Sequence, residues 1–285
     1  MVLQPNSVAY FGPSGTFTEE ALLTQADLAA STLLPKTSIA EVLEAVATGE
    51  VDMGFVPIEN AIEGTVNETL DALIFEYDFF IEREVILDVH LQLMAKRGAT
   101  IPRITRIHSY PHALAQVRGF LASTFENVET IAEKSTADAA KVVSERGDNH
   151  DAAIAPRLSA SLYGLEILAN DIEDHKDNQT RFVAVARTPL SEQTGGDRTS
   201  IVCFQDSDRP GSLHEILGEF ASRDINLTNL QSRPTKRGLG DYCFIIDLEG
   251  HMEDTNVSEC LKGLTQHLAR VKVLGSYRVG ELLEG

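Results

Sequence analysis

The sequence predicts an α/β protein followed by a small ferredoxin-like βαββαβ domain. Three observations carry this. Up to residue 187, short β-like runs alternate with helical patterns. Val85–Leu93 alternates strictly and is long enough to cross between two lobes. Beyond the polar stretch 188–198, with Pro189, Gly195 and Gly196, the order changes to β-α-β-β-α-β.

Val8–Phe11 reads as a strand ending in Gly12-Pro13-Ser14-Gly15, and a helix follows from Thr18 with Glu19 and Glu20 in its first turn, where acids suit the helix dipole. Ser38-Ile39-Ala40-Glu41 reads as a capping box for a helix that stops at Gly49. Asp52–Val56 is a strand closed by Pro57, and Val66–Leu73 a helix. After Val85–Leu93 comes a strand at Arg106–His108, then a helix from Pro111 with a stripe of Leu114, Val117 and Leu121. Val128–Ala132 is a strand, and Ser135-Thr136-Ala137-Asp138 caps a helix to Ser144. Ala152–Ala155, Leu165–Leu168 and Arg181–Arg187 are strands. The last domain reads as strands Thr199–Gln205, Leu227–Ser232, Tyr242–Leu248 and Val271–Tyr277, helices Gly211–Arg223 and Val257–Leu268, and a turn at Lys236–Gly240.

The 285 residues suffice for two or three domains, and 43% hydrophobic with 24% charged residues fits a packed core. The formal net charge is -19, so the surface repels phosphate backbones and anionic lipid, and neither nucleic acid nor membrane is expected as a partner. An anionic substrate would need a local positive site. Residues 1–10 carry no basic segment followed by an apolar one, and no apolar run is long enough to span a bilayer. Cys203, Cys243 and Cys260, an odd count with no CxxC spacing, suit reduced thiols in the cytoplasm.

Five places could carry chemistry. Gly12-Pro13-Ser14-Gly15-Thr16-Phe17 lies between a strand and a helix, where glycines allow tight geometry and helix N–H groups attract anions; taken by itself, a plain strand-to-helix turn explains it better. Pro57-Ile58-Glu59-Asn60 ends a strand, where open α/β sheets bind ligands. His108-Ser109-Tyr110-Pro111 places Ser109 as an N-cap or a ligand contact, with Gln116 inside the helix; His108 and His112 lack nearby acidic ligands, so no metal is expected. Ser135-Thr136 is a cap that could also face a ligand. Asp177-Asn178-Gln179-Thr180-Arg181-Phe182 packs a hydroxyl, a guanidinium and a ring into a strand start, and Arg181 is a natural counter-charge for a carboxylate. On the residues alone the reaction type stays open.

Taken in order, Gly15-Thr16-Phe17, Pro57-Ile58-Glu59-Asn60, His108-Ser109, Ala113-Leu114-Ala115-Gln116, Ser135-Thr136 and Thr180-Arg181-Phe182 resemble the prephenate dehydratase family. The tail resembles an ACT domain, with Gly211-Ser212-Leu213-His214 and Gln231-Ser232-Arg233-Pro234 at its two effector motifs. The resemblance implies a two-lobed, periplasmic-binding-protein-like catalytic domain over 1–187, with lobes 1–75 plus 180–187 and 80–175, and a regulatory ACT domain over 199–285. It implies conversion of prephenate to phenylpyruvate, with no cofactor, and inhibition by L-phenylalanine. Thr180 would help hydroxide leave, while Asn60, Ser109 and Gln116 position the substrate and Arg181 offsets its charge. Gly15, Thr16, Phe17, Ser135, Thr136 and Phe182 would complete the cleft, the two rings shielding the ring carboxylate from water. A homodimer or homotetramer is implied by the same resemblance. The family commonly has alanine where Ser212 stands and glutamate where Gln231 stands; Tyr110 and His112 also depart from it. Arogenate dehydration, or amino-acid sensing without catalysis, are the alternatives.

Overall fold

A computed structural model describes residues 5–205, 209–236 and 241–283. In chain order the elements of the first part are β1 (Ser7–Phe11), α1 (Phe17–Leu23), α2 (Ala26–Ala29), β2 (Thr32–Lys36), α3 (Ile39–Thr48), β3 (Met53–Asn60), β4 (Gly64–Thr65) and α4 (Asn67–Asp71), which continues as a π-helical turn over Ala72–Glu76. Then come β5 (Phe80–Asp88), β6 (Gln92–Ala95), a 3-10 turn at Ile101–Arg103, β7 (Arg106–Ser109), α5 (Pro111–Ala115), α6 (Arg118–Thr124), β8 (Glu129–Ala132), α7 (Thr136–Glu145), β9 (Asp151–Ala155), α8 (Arg157–Tyr163), β10 (Glu166–Ala169) and β11 (Gln179–Ala186). The last part holds β12 (Asp197–Phe204), α9 (Ser212–Ala221), β13 (Leu227–Pro234), β14 (Tyr242–Glu249), α10 (Thr255–His267), β15 (Arg270–Arg278) and β16 (Leu282–Leu283).

The strands form a seven-stranded sheet ordered β16-β5-β11-β3-β1-β2 with β4 on β3, a five-stranded sheet ordered β10-β6-β9-β7-β8, and a four-stranded sheet ordered β13-β14-β12-β15. The chain passes from the first sheet to the second between β5 and β6 and returns between β10 and β11. The two passages pair with each other: Val89 N donates to Asn178 O, and Ile172 N to Leu91 O. This is the two-lobed α/β architecture, followed by the ferredoxin-like order β12-α9-β13-β14-α10-β15.

Local chemistry explains the helix starts. Thr16, Ser38 and Ser135 each accept a hydrogen bond from the backbone N–H three residues on. The acid of the expected capping box reaches further back than Ser38: Glu41 accepts from Thr37 N at 2.8 Å. Helix α3 ends on Gly49 at φ 76°, a left-handed position that suits glycine.

Several expectations change. The strand expected to close at Pro57 runs on to Asn60, because its ladder with β1 already ends at Phe55 and Pro57 removes no donor from it. Val85–Leu93 is two strands, β5 and β6; between them Leu91 N donates to the Glu173 carboxylate at 2.9 Å instead of to a ladder. The helix from Pro111 divides into α5 and α6. Asp174 causes the break, since its N–H takes Gln116 O at 2.7 Å and its carboxylate caps Gly119 N and Phe120 N. The helix expected at Val66–Leu73 extends through the π-helical turn to Glu76. The sequence gives no expectation for α2, β2, α8 or β16, which are short or, in β2, carry a proline. The turn at Lys236–Gly240 lies outside the described residues beyond Lys236.

By compactness the chain divides into 5–66, 85–182 and 281–283 as one unit, and 67–84 with 183–280 as the other. This differs from a boundary at 187–199, and tethers within the second unit explain why. Lys272 Nζ donates to Tyr77 O at 2.6 Å, Arg198 pairs with the buried Glu84 at 2.5 Å, and Arg233 pairs with Asp71. Glu82 accepts from Leu190 N and Ser191 Oγ, which binds the start of the 188–198 stretch to β5. Gly275, at φ 143°, lies so close to the Ile81 backbone that no Cβ fits. In this unit Ile201, Cys203, Ile246 and Leu248 pack against Ile216 and Phe220 of α9 and Val257, Cys260 and Leu264 of α10. Burial pushes the Cys203 thiol up to about 12 and those of Cys243 and Cys260 to about 11, so all three stay protonated and poorly reactive.

In the second sheet, Arg106 at the start of β7 grips Asp151 at the start of β9 with two bonds of 2.5 and 2.9 Å. The Arg106 hydrogen bond holds the Asp151 carboxyl down at about 2, from 3.8. A lowered folded-state pKa stabilises above the unfolded value, and that stability is lost as pH falls through the folded one. Asp151→Asn is therefore expected to flatten the loss of thermal stability between pH 3.8 and about 2, read from melting curves of both proteins across that window.

Candidate active site

The site grows from the end of β3 and the start of β11, neighbours in the seven-stranded sheet. Ala61 N donates to Gln179 O at 2.8 Å, which brings Asn60 beside Thr180. The Asn60 amide has only one possible orientation. Its Oδ1 accepts from Ile62 N at 3.0 Å and Glu63 N at 2.9 Å, the geometry of an Asx turn. Its Nδ2 must then face the other way, and it donates to Thr180 Oγ1 at 2.8 Å and Asn178 Oδ1 at 2.9 Å, with Gln179 O at 3.2 Å. An amide nitrogen has two hydrogens, so the two short bonds use both. Thr180 Oγ1 is thus an acceptor toward Asn60, and its own proton points to a different partner. Thr180 is half-buried, within reach of a small molecule.

Asn178 is 1% exposed and donates from Nδ2 to Gln116 Oε1 at 3.1 Å. Gln116 ends α5, on the second sheet, so this amide joins the two lobes. Arg181 lies next in β11, its side chain 12% exposed and its Nη1 3.8 Å from the Glu59 carboxylate. It supplies the local positive charge that the acidic composition requires of an anion site. Four of the five residues expected to be catalytic, Asn60, Gln116, Thr180 and Arg181, therefore fall in one cluster. Glu63 reaches His112 Nδ1 at 2.9 Å, and His112 stacks on Tyr110.

Ser109 does not join them. Its hydroxyl is fully buried at the end of β7 and donates to Ile154 O at 2.7 Å, so it ties β7 to β9; the cap position of α5 is Tyr110, with no side-chain bond. Phe182 does not wall a cleft either. It is 1% exposed and stacks on Phe55 with ring centroids 5.7 Å apart, because the burial of β11 is continuous from this residue onward.

The glycine turn forms a second cluster. Gly15 is at φ 92°, and a Cβ there would meet Ser159 Oγ at 2.8 Å. Ser159 donates to Gly15 O and Tyr163 to Ser14 O, so α8 holds the turn. The turn is not an open anion cradle, since Gly15 N already donates to the Glu19 carboxylate at 2.5 Å. Thr16 is spent as the cap of α1, and Phe17 packs against the core that includes Ala113 and Val117, beside Gln116. Gly15 also lies against Ala137, just after Ser135 and Thr136. Ser135 caps α7 and Thr136 opens it, half-buried.

In the other unit, Gly211 caps α9 at φ 90°, and Ser212, which donates to Gln205, lines a cavity of about 240 Å³ with Arg209, Glu215, Ile216, Glu219, Leu264, His267 and Leu268. The second effector motif does not line this cavity. Gln231 donates weakly to Asn229, Ser232 and Pro234 lie in β13, and Arg233 binds Asp71 and Asn67. Leu213 and His214 follow Ser212 in the first turn of α9.

A model of the prephenate dehydratase family matches residues 8–190, and that of the ACT domain matches 199–266. The chain belongs to the prephenate dehydratase family. Membership makes it an enzyme of the hydro-lyase class. A prephenate dehydratase of Amycolatopsis methanolica is 40% identical over 95% of this chain and 88% of its own. The crystal structure of an Arthrobacter aurescens prephenate dehydratase in complex with L-Phe is 40% identical, with a TM-score of 0.88 over 96% of this chain and 90% of that one. GqqA, described as a novel type of quorum-quenching acylase, is 31% identical with a TM-score of 0.86 over 96% and 98%. The sequence motifs nominate Asn60, Ser109, Gln116, Thr180 and Arg181, of which all but Ser109 fall together, and they give no site role to Asn178, Ser159 or Tyr163 and only a helix-dipole role to Glu19. Asn178 stood in the same run as Thr180; nothing in one sequence marks its contact with Gln116.

Phe182→Ala is expected to cost about 3–5 kcal/mol of stability, the range for deleting a buried ring. Denaturant unfolding of the two proteins measures it.

Proposed function

We propose that this enzyme converts prephenate to phenylpyruvate, water and carbon dioxide, and that L-phenylalanine inhibits it. The observation that carries the catalytic reading is the direction of the Asn60–Thr180 hydrogen bond. The bond to the ring carboxylate breaks and its electron pair enters the ring, while the ring C–O bond breaks toward oxygen. The ring becomes aromatic, so the obstacle is the poor leaving group. With Asn60 donating to Thr180 Oγ1, the threonine proton is available to the departing oxygen. A threonine hydroxyl is a weak acid, so its task is to stabilise the charge that develops there and to relay a proton taken up from solvent to the leaving hydroxide, which departs as water while the threonine ends protonated. Arg181 offsets the charge of the dianion. A clamp on the departing carboxylate would stabilise the ground state, so its better partner is the side-chain carboxylate.

The regulatory reading draws on the ACT domain, on the relative whose structure holds L-Phe, and on the cavity that Ser212 lines. A second reading, dehydration of arogenate, draws on the Glu59 carboxylate beside Arg181, an acceptor for the ammonium that arogenate carries in place of a ketone.

Purified enzyme incubated with prephenate is expected to yield phenylpyruvate, and with a lower kcat/KM on arogenate; the reverse order selects the second reading. Thr180→Ala is expected to keep its circular dichroism spectrum and lose about 10²–10³-fold in kcat. Wild-type turnover in that variant removes the hydroxyl from the mechanism. L-Phenylalanine added to the intact chain should lower turnover, and an unchanged rate at saturating effector would refute the regulatory reading.

A further inference from the structure

Resting on that assignment, we propose that Asn178 is a positioning residue that transmits the hydrogen-bond polarity of the Asn60 turn to Gln116, so that the glutamine presents its amide N–H groups to a substrate carboxylate. The relay starts at two backbone groups whose chemistry cannot change. Ile62 N and Glu63 N are donors, so Asn60 Oδ1 faces them and Asn60 Nδ2 faces Asn178. Asn178 must then answer with Oδ1, which leaves Nδ2 toward Gln116. Gln116 must answer with Oε1, which leaves both hydrogens of its Nε2 free of this chain of amides. Each side chain has one acceptor end and one donor end, so each link dictates the next.

The result is a site whose two outward polar groups are both donors. Thr180 offers O–H and Gln116 offers N–H, a pairing suited to an anion. Without Asn178 nothing in this chain of bonds would distinguish the two orientations of Gln116, and half of them would turn a carbonyl oxygen toward a carboxylate. Asn178 is well placed for the task. It is buried, its own carbonyl is held by Val89 N at 2.8 Å, and it lies on the return passage between the lobes. Thr180 does not depend on it, because Asn60 is anchored by backbone N–H groups.

The test is Asn178→Asp and Asn178→Ser in the full chain, assayed with prephenate across pH. An aspartate is isosteric with asparagine. Ionised, it has acceptors at both ends, so Gln116 flips to donate to it and turns Oε1 outward. Protonated, it again has a donor for Gln116 Oε1. Asn178→Asp is therefore expected to lose about 10–100-fold in kcat/KM where its carboxyl is ionised, the size of a lost hydrogen bond to a charged group, and to recover as pH falls. Asn178→Ser is expected to lose a similar factor at every pH. In both the loss falls on KM, since Thr180 keeps its orientation. Glu59, Glu63, His112, Glu173 and Asp177, with the permanently charged Arg181, are the ionisable groups on the surrounding segments and are the same in wild type and variants, so the ratio of the profiles isolates position 178. Variants within about two-fold of wild type, a loss confined to kcat, or an Asn178→Asp profile parallel to wild type each overturn the relay. Should neither variant fold, Gln116→Glu takes their place: the relay expects its KM to fall again as the new carboxyl protonates, and a pH-independent KM overturns it. Wild-type enzyme inert toward prephenate sinks the functional assignment instead, before any variant is compared.

Discussion

Two backbone N–H groups, those of Ile62 and Glu63, set the polarity of the whole candidate site by fixing one end of the Asn60 amide. A side-chain amide can rotate by half a turn at little cost when its surroundings are indifferent. Here they are not, because a backbone N–H can only donate. The constraint passes from a tight turn at a strand end to a hydroxyl on the neighbouring strand and to a glutamine on the other sheet. Order in the candidate site thus derives from main chain in a turn at a strand end.

The same economy appears at the glycine turn. Its sequence suggests an anion cradle, yet the protein supplies its own anion, Glu19, to Gly15 N. What the turn contributes is a close approach: with no side chain at Gly15, Ser159 and Tyr163 can bind the carbonyls of Gly15 and Ser14. In a chain with net charge -19, the positive character of the site rests on Arg181 and on oriented donors rather than on a broad basic surface. That arrangement attracts an anion only where donors and shape agree, which favours selectivity over long-range capture.

The C-terminal unit shows how the ACT domain is bound to residues 67–84 of the same compact unit. Arg233, in a motif assigned to effector binding by resemblance, is engaged with Asp71 and Asn67 of α4, while Lys272 caps the carbonyls at the end of the π-helical turn. The linker stretch is drawn in by Glu82. These bonds explain why the compact unit takes in residues 67–84 although the family boundary falls later in the chain.

Periodicity and capping residues by themselves determined the α/β class, the βαββαβ tail and the starts of α3 and α7, because these depend on neighbours three or four positions away; the cap of α1, Thr16, was not marked as one. The candidate residues Asn60, Thr180 and Arg181 were legible as polar side chains at strand ends, and Gln116 as one inside a helix that the structure ends there. Tertiary structure decided what each of them does. Phe182 went to the core and Ser109 to a strand-to-strand bond, since burial depends on what another sheet places opposite. The break between α5 and α6 came from Asp174, and the tie between Asn60 and Gln116 came from Asn178, each from a distant stretch of the chain. Hydrogen bonds across such separations are set by geometry, and a linear pattern carries no record of which donor will meet which acceptor.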